Sequence, residues 1–246
     1  MDGNGGHAHS VKVLIRRRRG CCQWIYPLEG ALGEQGGLTS IDISDDGKRL
    51  VVTQGNWDIY SLRIDGSAYR HVDVVDGEAS GYTGSDISGP QFVPGGTRIV
   101  EHFTADDGEG IGTVPLTGGR VHYFDLDRNA LAPTYSDDGR WIAFTVEAPS
   151  PPEHPHLEGR DTLWIMRADG SGIRRVVGSS RLDVFNPAFS PDGNEIVFGA
   201  QSNPPGSRVI GKQPIFTYIV SVGGDPPIKV STGVLRFSNE NPAWVR

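Results

Sequence analysis

Apolar residues along this chain come in short runs cut off by Asp-Gly, Gly-Gly and Pro-Gly pairs, without the three-to-four spacing of an amphipathic helix. Trp141-Ile142-Ala143-Phe144 follows Ser136-Asp137-Asp138-Gly139, and Leu163-Trp164-Ile165-Met166 precedes Ala168-Asp169-Gly170-Ser171-Gly172. Such runs are of strand length and rich in aromatic and β-branched side chains. The intervening sequences suit tight turns, because Asp bonds its own backbone and Gly takes positive φ without a steric penalty. The stretch from Ala132 to Val176 therefore predicts four antiparallel strands joined as a meander.

The same unit recurs. It predicts strands at Ile41–Ile43, Leu50–Val52, Trp57–Ile64 and Tyr69–Val75, with turns at Asp46-Gly47 and Asp65-Gly66. A second copy starts at Pro90–Val93 and turns at Pro94-Gly95-Gly96. A fourth starts at Asn186–Phe189 and turns at Ser190-Pro191-Asp192-Gly193. Spacings of 49, 43 and 54 between Gly47, Gly96, Gly139 and Gly193 are those of propeller blades with four strands each. Gly47, Gly139 and Gly193 are expected at positive φ. The ends complement one another: Val11–Ile15 and Trp24–Leu28 read as later strands of a unit, and Asn241–Arg246 reads as a first strand. Pairing them would close the ring and cover an open sheet edge. The expected fold is all-β, a β-propeller of five four-stranded blades with a split closing blade formed by both termini; six blades is the alternative. Residues 1–10 are expected to be disordered, and 11–246 to form a single domain.

The segments NPAFSPDGNEIVF, APTYSDDGRWIAF and LWIMRADGSGIRR resemble the WD-like repeat of TolB-type β-propellers. The resemblance runs over about residues 11–246 and repeats in register with both turns. It implies a propeller used mainly for binding. TolB itself has six blades and a further N-terminal domain that this sequence does not show, so its envelope role is not carried over.

In such a ring the tight turns share one face, and the longer segments share the other. The longer ones are the inserts 101–110, 147–161 and 200–214 with the links 76–89, 125–131, 178–186 and 231–240. Binding residues concentrate on loops held by a rigid scaffold, so the long-loop face is the expected site. Thr39, Ser40, Asn186 and Glu240 stand at blade entrances near the axis, and His102, Asp106, His154 and His156 are expected as a rim around them. His154 and His156 beside Glu153, Glu158 and Asp161 have the chemistry of a zinc or manganese site. Asp125, Asp127 and Asn129 resemble the opening of a calcium loop, without its later glycine and acidic residue. An exposed proline-stiffened loop and a solvated turn account for the same residues.

No cofactor is expected beyond that alternative of a divalent metal. The sequence has no GxSxG elbow, phosphate loop, CxxC pair or Cys/His zinc spacing. Gly 34 and Pro 17 suit a chain of many turns. A net charge of -7 argues against nucleic acid, the Arg16–Arg19 run being read as a solvated turn. No stretch is apolar and long enough to insert in a membrane. The N-terminus has no signal-peptide pattern, so the chain as written reads as cytoplasmic, and as periplasmic or extracellular if a leader has been removed. The expected function is a non-enzymatic, monomeric scaffold for a protein, peptide or glycan. A metal-dependent lyase or hydrolase with its site at the channel mouth is the alternative.

Overall fold

The computed structural model describes residues 38–54, 58–75, 78–79, 89–105, 108–126, 129–147, 161–178, 182–202 and 215–230. These form strands throughout and no helix, arranged as successive antiparallel blades of a β-propeller. Blade 1 pairs Leu38–Ile43, Arg49–Gln54, Asp58–Arg63 and Arg70–His71 in chain order. Blade 2 has Gln91–Phe92, Arg98–Ala105, Gly108–Pro115 and His122–Tyr123, with Glu78–Ala79 added against the second of these. Blade 3 is Ala130–Tyr135, Trp141–Val146, Thr162–Arg167 and Arg174–Val177. Blade 4 is Leu182–Phe189, Glu195–Ser202, Ile215–Ser221 and Ile228–Lys229. Four blades are thus described where the sequence predicts five, because both segments expected to build the fifth lie outside the described residues.

The first hairpin turn is a repeated hydrogen-bond device. In blade 3, Gly139 N–H donates to the Ser136 carbonyl (2.8 Å), and Ser136 Oγ–H donates to Asp138 Oδ1 (2.7 Å). Asp138 also accepts from Arg140 N–H (2.9 Å), and Ser136 Oγ accepts from Trp141 N–H (3.0 Å). The same four bonds recur at Ser44/Asp46/Gly47 and at Ser190/Asp192/Gly193. The three glycines sit at φ 67, 69 and 70, as the Asp-Gly pattern predicts. Blade 2 has Val93-Pro94-Gly95-Gly96 here and lacks both side chains. Its Gly95 N–H is instead directed at Asp45 Oδ2 of blade 1 (3.3 Å).

The core lies between blades. Ala143, Leu163 and Ile165 of blade 3 face Ile196, Phe198, Ala200 and Val220 of blade 4. Val51 and Ile59 of blade 1 face Phe92, Ile99, Phe103 and Val114 of blade 2. Ile111 of blade 2 meets Ile142, Phe144 and Met166 of blade 3. Each fully buried large apolar side chain contributes about 1.5–3 kcal/mol, an upper estimate that assumes an extended unfolded chain. Because both faces of each inner strand are covered, Ile142 to Val146 reads as an unbroken buried run instead of an alternation.

Candidate functional site

Aligning the blades on their turn glycines places Ser40, Gly89, Ala132 and Asn186 at one repeat position near the axis, in or just before the first strand. Ser40 pairs across the sheet with Thr53. The residues that match Thr53 by repeat position are His102, Thr145 and Gly199, of which Thr145 pairs with Leu131 and Gly199 with Phe185. A bulge or register shift falls at this level in blades 1, 3 and 4, bending the strand as it enters the ring. Ala132 (φ 50) and Asn186 (φ 46) are left-handed there, each directly before a proline. Asn tolerates this conformation, whereas Ala incurs a cost of about 1 kcal/mol.

Ser40 Oγ and Thr53 Oγ1 form a short hydrogen bond, and a β-carbon at Gly89 would land on the Ser40 side chain. Neighbouring entrances are therefore in contact at this level, and only a glycine fits beside Ser40. The same two repeat positions hold Gly89 and His102 in blade 2, and Asn186 and Gly199 in blade 4.

His102 is 4 % exposed, and neither ring nitrogen has a hydrogen-bond partner among the described residues. Burial pulls its pKa down from 6.5 to about 4, so it is neutral at pH 7. Asn186 Oδ1 and Asn129 Oδ1 are likewise buried and unpartnered, Asn129 spending its amide N–H on Glu147 Oε2 (2.7 Å). The sequence expectation put His102 in an insert spanning 101–110. Arg98–Ala105 and Gly108–Pro115 are instead the arms of a hairpin, so His102 belongs to an inner strand and not to a rim.

Thr39 and Ser40 lie in the first strand of blade 1, and Asn186 lies in the first strand of blade 4. Asp125 is exposed. Asp106, Asp127, His154, His156 and Glu240 lie outside the described residues. Among the described residues no three His, Cys, Asp or Glu side chains converge in a way that would hold a metal ion.

Sequence reasoning misses two carboxylates. Glu101 occupies the position of Val52, Phe144 and Phe198 in the other blades and is 4 % exposed. Its Oε1 accepts His102 N–H (3.0 Å), while Oε2 has no partner. Burial raises its pKa well above the ordinary carboxylate range. Asp42 lies on the axial side of blade 1 and accepts Phe92 N–H of blade 2 (2.7 Å). Its pKa too is raised by burial. Superposing the repeats would have exposed both, since each is an acid in a column of otherwise uncharged residues.

An axial cavity of about 640 Å³ lies where the first turns gather. Each of the four described blades contributes two consecutive first-strand residues to its wall: Asp42 and Ile43, Gln91 and Phe92, Thr134 and Tyr135, Ala188 and Phe189.

No protein-family model matches the sequence. An uncharacterized protein of Agrobacterium fabrum is 38% identical over 66 residues, which are 27% of this chain and 19% of that protein. The Tol-Pal system protein TolB of Anaeromyxobacter dehalogenans is 45% identical over 58 residues, 23% of this chain and 11% of that protein. The matches thus span less than a fifth of either relative. Among solved structures, the oligogalacturonate lyase of Vibrio parahaemolyticus aligns with a TM-score of 0.55 at 13% identity, over 81% of this chain and 55% of that one. At that identity the likeness concerns the fold alone. The four-stranded blades with their repeated Ser-x-Asp-Gly turns make the described residues a β-propeller, and one stretch of the chain is similar to TolB.

Proposed function

We propose that the chain is a non-enzymatic binding scaffold that recognises a protein, peptide or glycan on its long-loop face. The observation that supports this most is the set of open hydrogen-bonding groups near the blade entrances. Both ring nitrogens of His102 and the Oδ1 atoms of Asn129 and Asn186 are buried with no partner among the described residues. Leaving such groups unpaired costs about 1–3 kcal/mol each, and a polar ligand or its ordered water would recover that cost. Ser40, Thr39 and Asn186 belong to this site in the proposal, with Glu240, Asp106, His154 and His156 on the segments around it.

In this reading the ring is closed by a fifth blade from residues 11–28 and 241–246. The apolar edges at the two ends of the described array support it. Ile41 and Ile43 of blade 1 are 45% and 37% exposed, and Ile228 in the last strand of blade 4 and Val230 just after it are 68% and 46% exposed. Deleting residues 241–246 is expected to lower the melting temperature markedly, and an unchanged temperature would refute the closure.

The functional test is a screen of purified protein against immobilised peptides and glycans, followed by substitutions at each end of the axis. Loss of binding in Asn186→Ala and Ser40→Ala supports the reading. Loss confined to Asp138→Asn or Asp192→Asn would place the ligand on the other face. A stoichiometric metal in the purified protein, lost on replacing His154 and His156, would favour the lyase or hydrolase instead.

A further inference from the structure

The cavity at the tight-turn end of the axis belongs to neither reading above. Its inner wall carries one residue per blade from a single repeat position: Asp42, Gln91, Thr134 and Ala188. The following repeat position adds Ile43, Phe92, Tyr135 and Phe189. At about 640 Å³ the space lies within the range of ligand pockets and is much larger than a single water site needs. Toward the long-loop end, the Ser40 side chain fills the space beside Gly89, so blades 1 and 2 close together there.

The chemistry of this wall points to a cation. Among the described residues Asp42 is the one carboxylate of the inner ring, and no lysine or arginine pairs with it. A largely buried carboxylate held only by backbone N–H groups is stabilised by a counter-charge brought from outside. Aromatic faces beside an acid add cation–π attraction, and Gln91 and Thr134 supply hydrogen-bond acceptors for the remaining N–H groups. At the mouth the carboxylates are already engaged by the fold. Asp46 accepts from Ser44 and Lys48, and Asp45 from Gly95 N–H. The bonds from Ser44 and from Lys48 N–H hold the Asp46 carboxyl below its ordinary pKa, and its negative charge draws a cation inward.

We propose that this cavity receives a cationic side chain, a lysine or arginine carried on an extended segment of a partner polypeptide, with Asp42 as its anionic contact. Gln91 and Thr134 hold the head group from the neighbouring blades. The hydrocarbon stem lies along the apolar and aromatic wall, as long basic side chains do on apolar surfaces.

The test is fluorescence anisotropy of labelled hexalysine on the full chain at near-physiological salt, with hexaglutamate and calcium chloride as comparison probes. Saturable binding of hexalysine, weakened about tenfold or more in Asp42→Asn, is expected. Asp192→Asn, which changes a turn acid outside the cavity, should leave binding as it is. Gln91→Trp, which fills the space while keeping Asp42, should also weaken it, and it decides the matter if Asp42→Asn does not fold. No saturable binding, equal weakening by Asp192→Asn, or undiminished binding in both cavity variants would overturn the proposal. Asp42-dependent binding of calcium with no binding of hexalysine would do so too.

Discussion

Blades 2 and 3 are neighbours with the same strand plan, yet they are built to different standards. Blade 3 has the full Ser136/Asp138/Gly139 turn, an unbroken buried run in its inner strand and Phe144 at the centre of that run. Blade 2 has a turn without either side-chain acceptor, an extra strand at Glu78–Ala79, and Glu101 and His102 where blade 3 has Phe144 and Thr145. Blade 3 spends its inner strand on packing. Blade 2 gives up apolar contact there for two ionisable groups with three unpartnered atoms between them. The difference teaches that the architecture tolerates a polar centre in one blade because the interfaces on either side remain apolar. Phe103 with Ile99, and Ile111 with Phe144, still carry those interfaces.

The sharpest way to break the comparison is to give blade 3 the chemistry of blade 2. Phe144→Glu should cost at least about 4 kcal/mol in denaturant unfolding, combining lost packing with a buried acid. A cost below about 1 kcal/mol would mean that the position is forgiving in every blade.

The next effect is on pH dependence. His102 has a folded pKa depressed from 6.5 to about 4, so its neutral form contributes stability that is present above 6.5 and lost as pH falls toward 4. The full difference is on the order of 3 kcal/mol. His102→Thr, the residue found in blades 1 and 3, should flatten the stability profile over that window. A variant with the same acid-side slope would show that the imidazole is solvated when protonated.

Glu101 works in the opposite direction. Its raised pKa means that stability falls as pH rises above the ordinary carboxylate range. Glu101→Val, which installs the blade 1 residue, should stabilise the protein by about 1–3 kcal/mol at neutral pH. A loss of stability would identify Glu101 as a structural link. The smallest effect concerns the turn that blade 2 lacks. Gly193→Val should cost about 1–2 kcal/mol because a β-branched residue resists φ 70. A neutral result would make the Asp-Gly turns of the complete blades less specific than their bonding suggests.

What was legible in the sequence was local. Asp138-Gly139 and Asp169-Gly170 state their turns within four residues, and the runs between them are strands because both faces are covered. Gly108-Glu109-Gly110 misleads, since glycines in a row look like a loop yet form one arm of a long hairpin. The blade entrances were found from the repeat alone, but not the left-handed backbone at Ala132, which the bulge imposes and alanine does not advertise. The cavity was invisible because four segments as far apart as Asp42 and Phe189 build it, and only their superposition shows that Asp42 is the odd residue.

The contact between Ser40 and Gly89 has a consequence for how such a ring can be inherited. Repeats that arise by duplication begin as interchangeable copies, free to be shuffled, lost or gained. Once one copy carries a hydroxyl that the next can accept only with a bare backbone, the two are committed to that order. Ala132 or Asn186 could not follow Ser40 with the present spacing, because either would place a β-carbon where the serine already stands. The succession of blades is in this sense written into the chain as a sequence of fits. A swapped or permuted copy would fail first at the hub, before any strand or turn was disturbed.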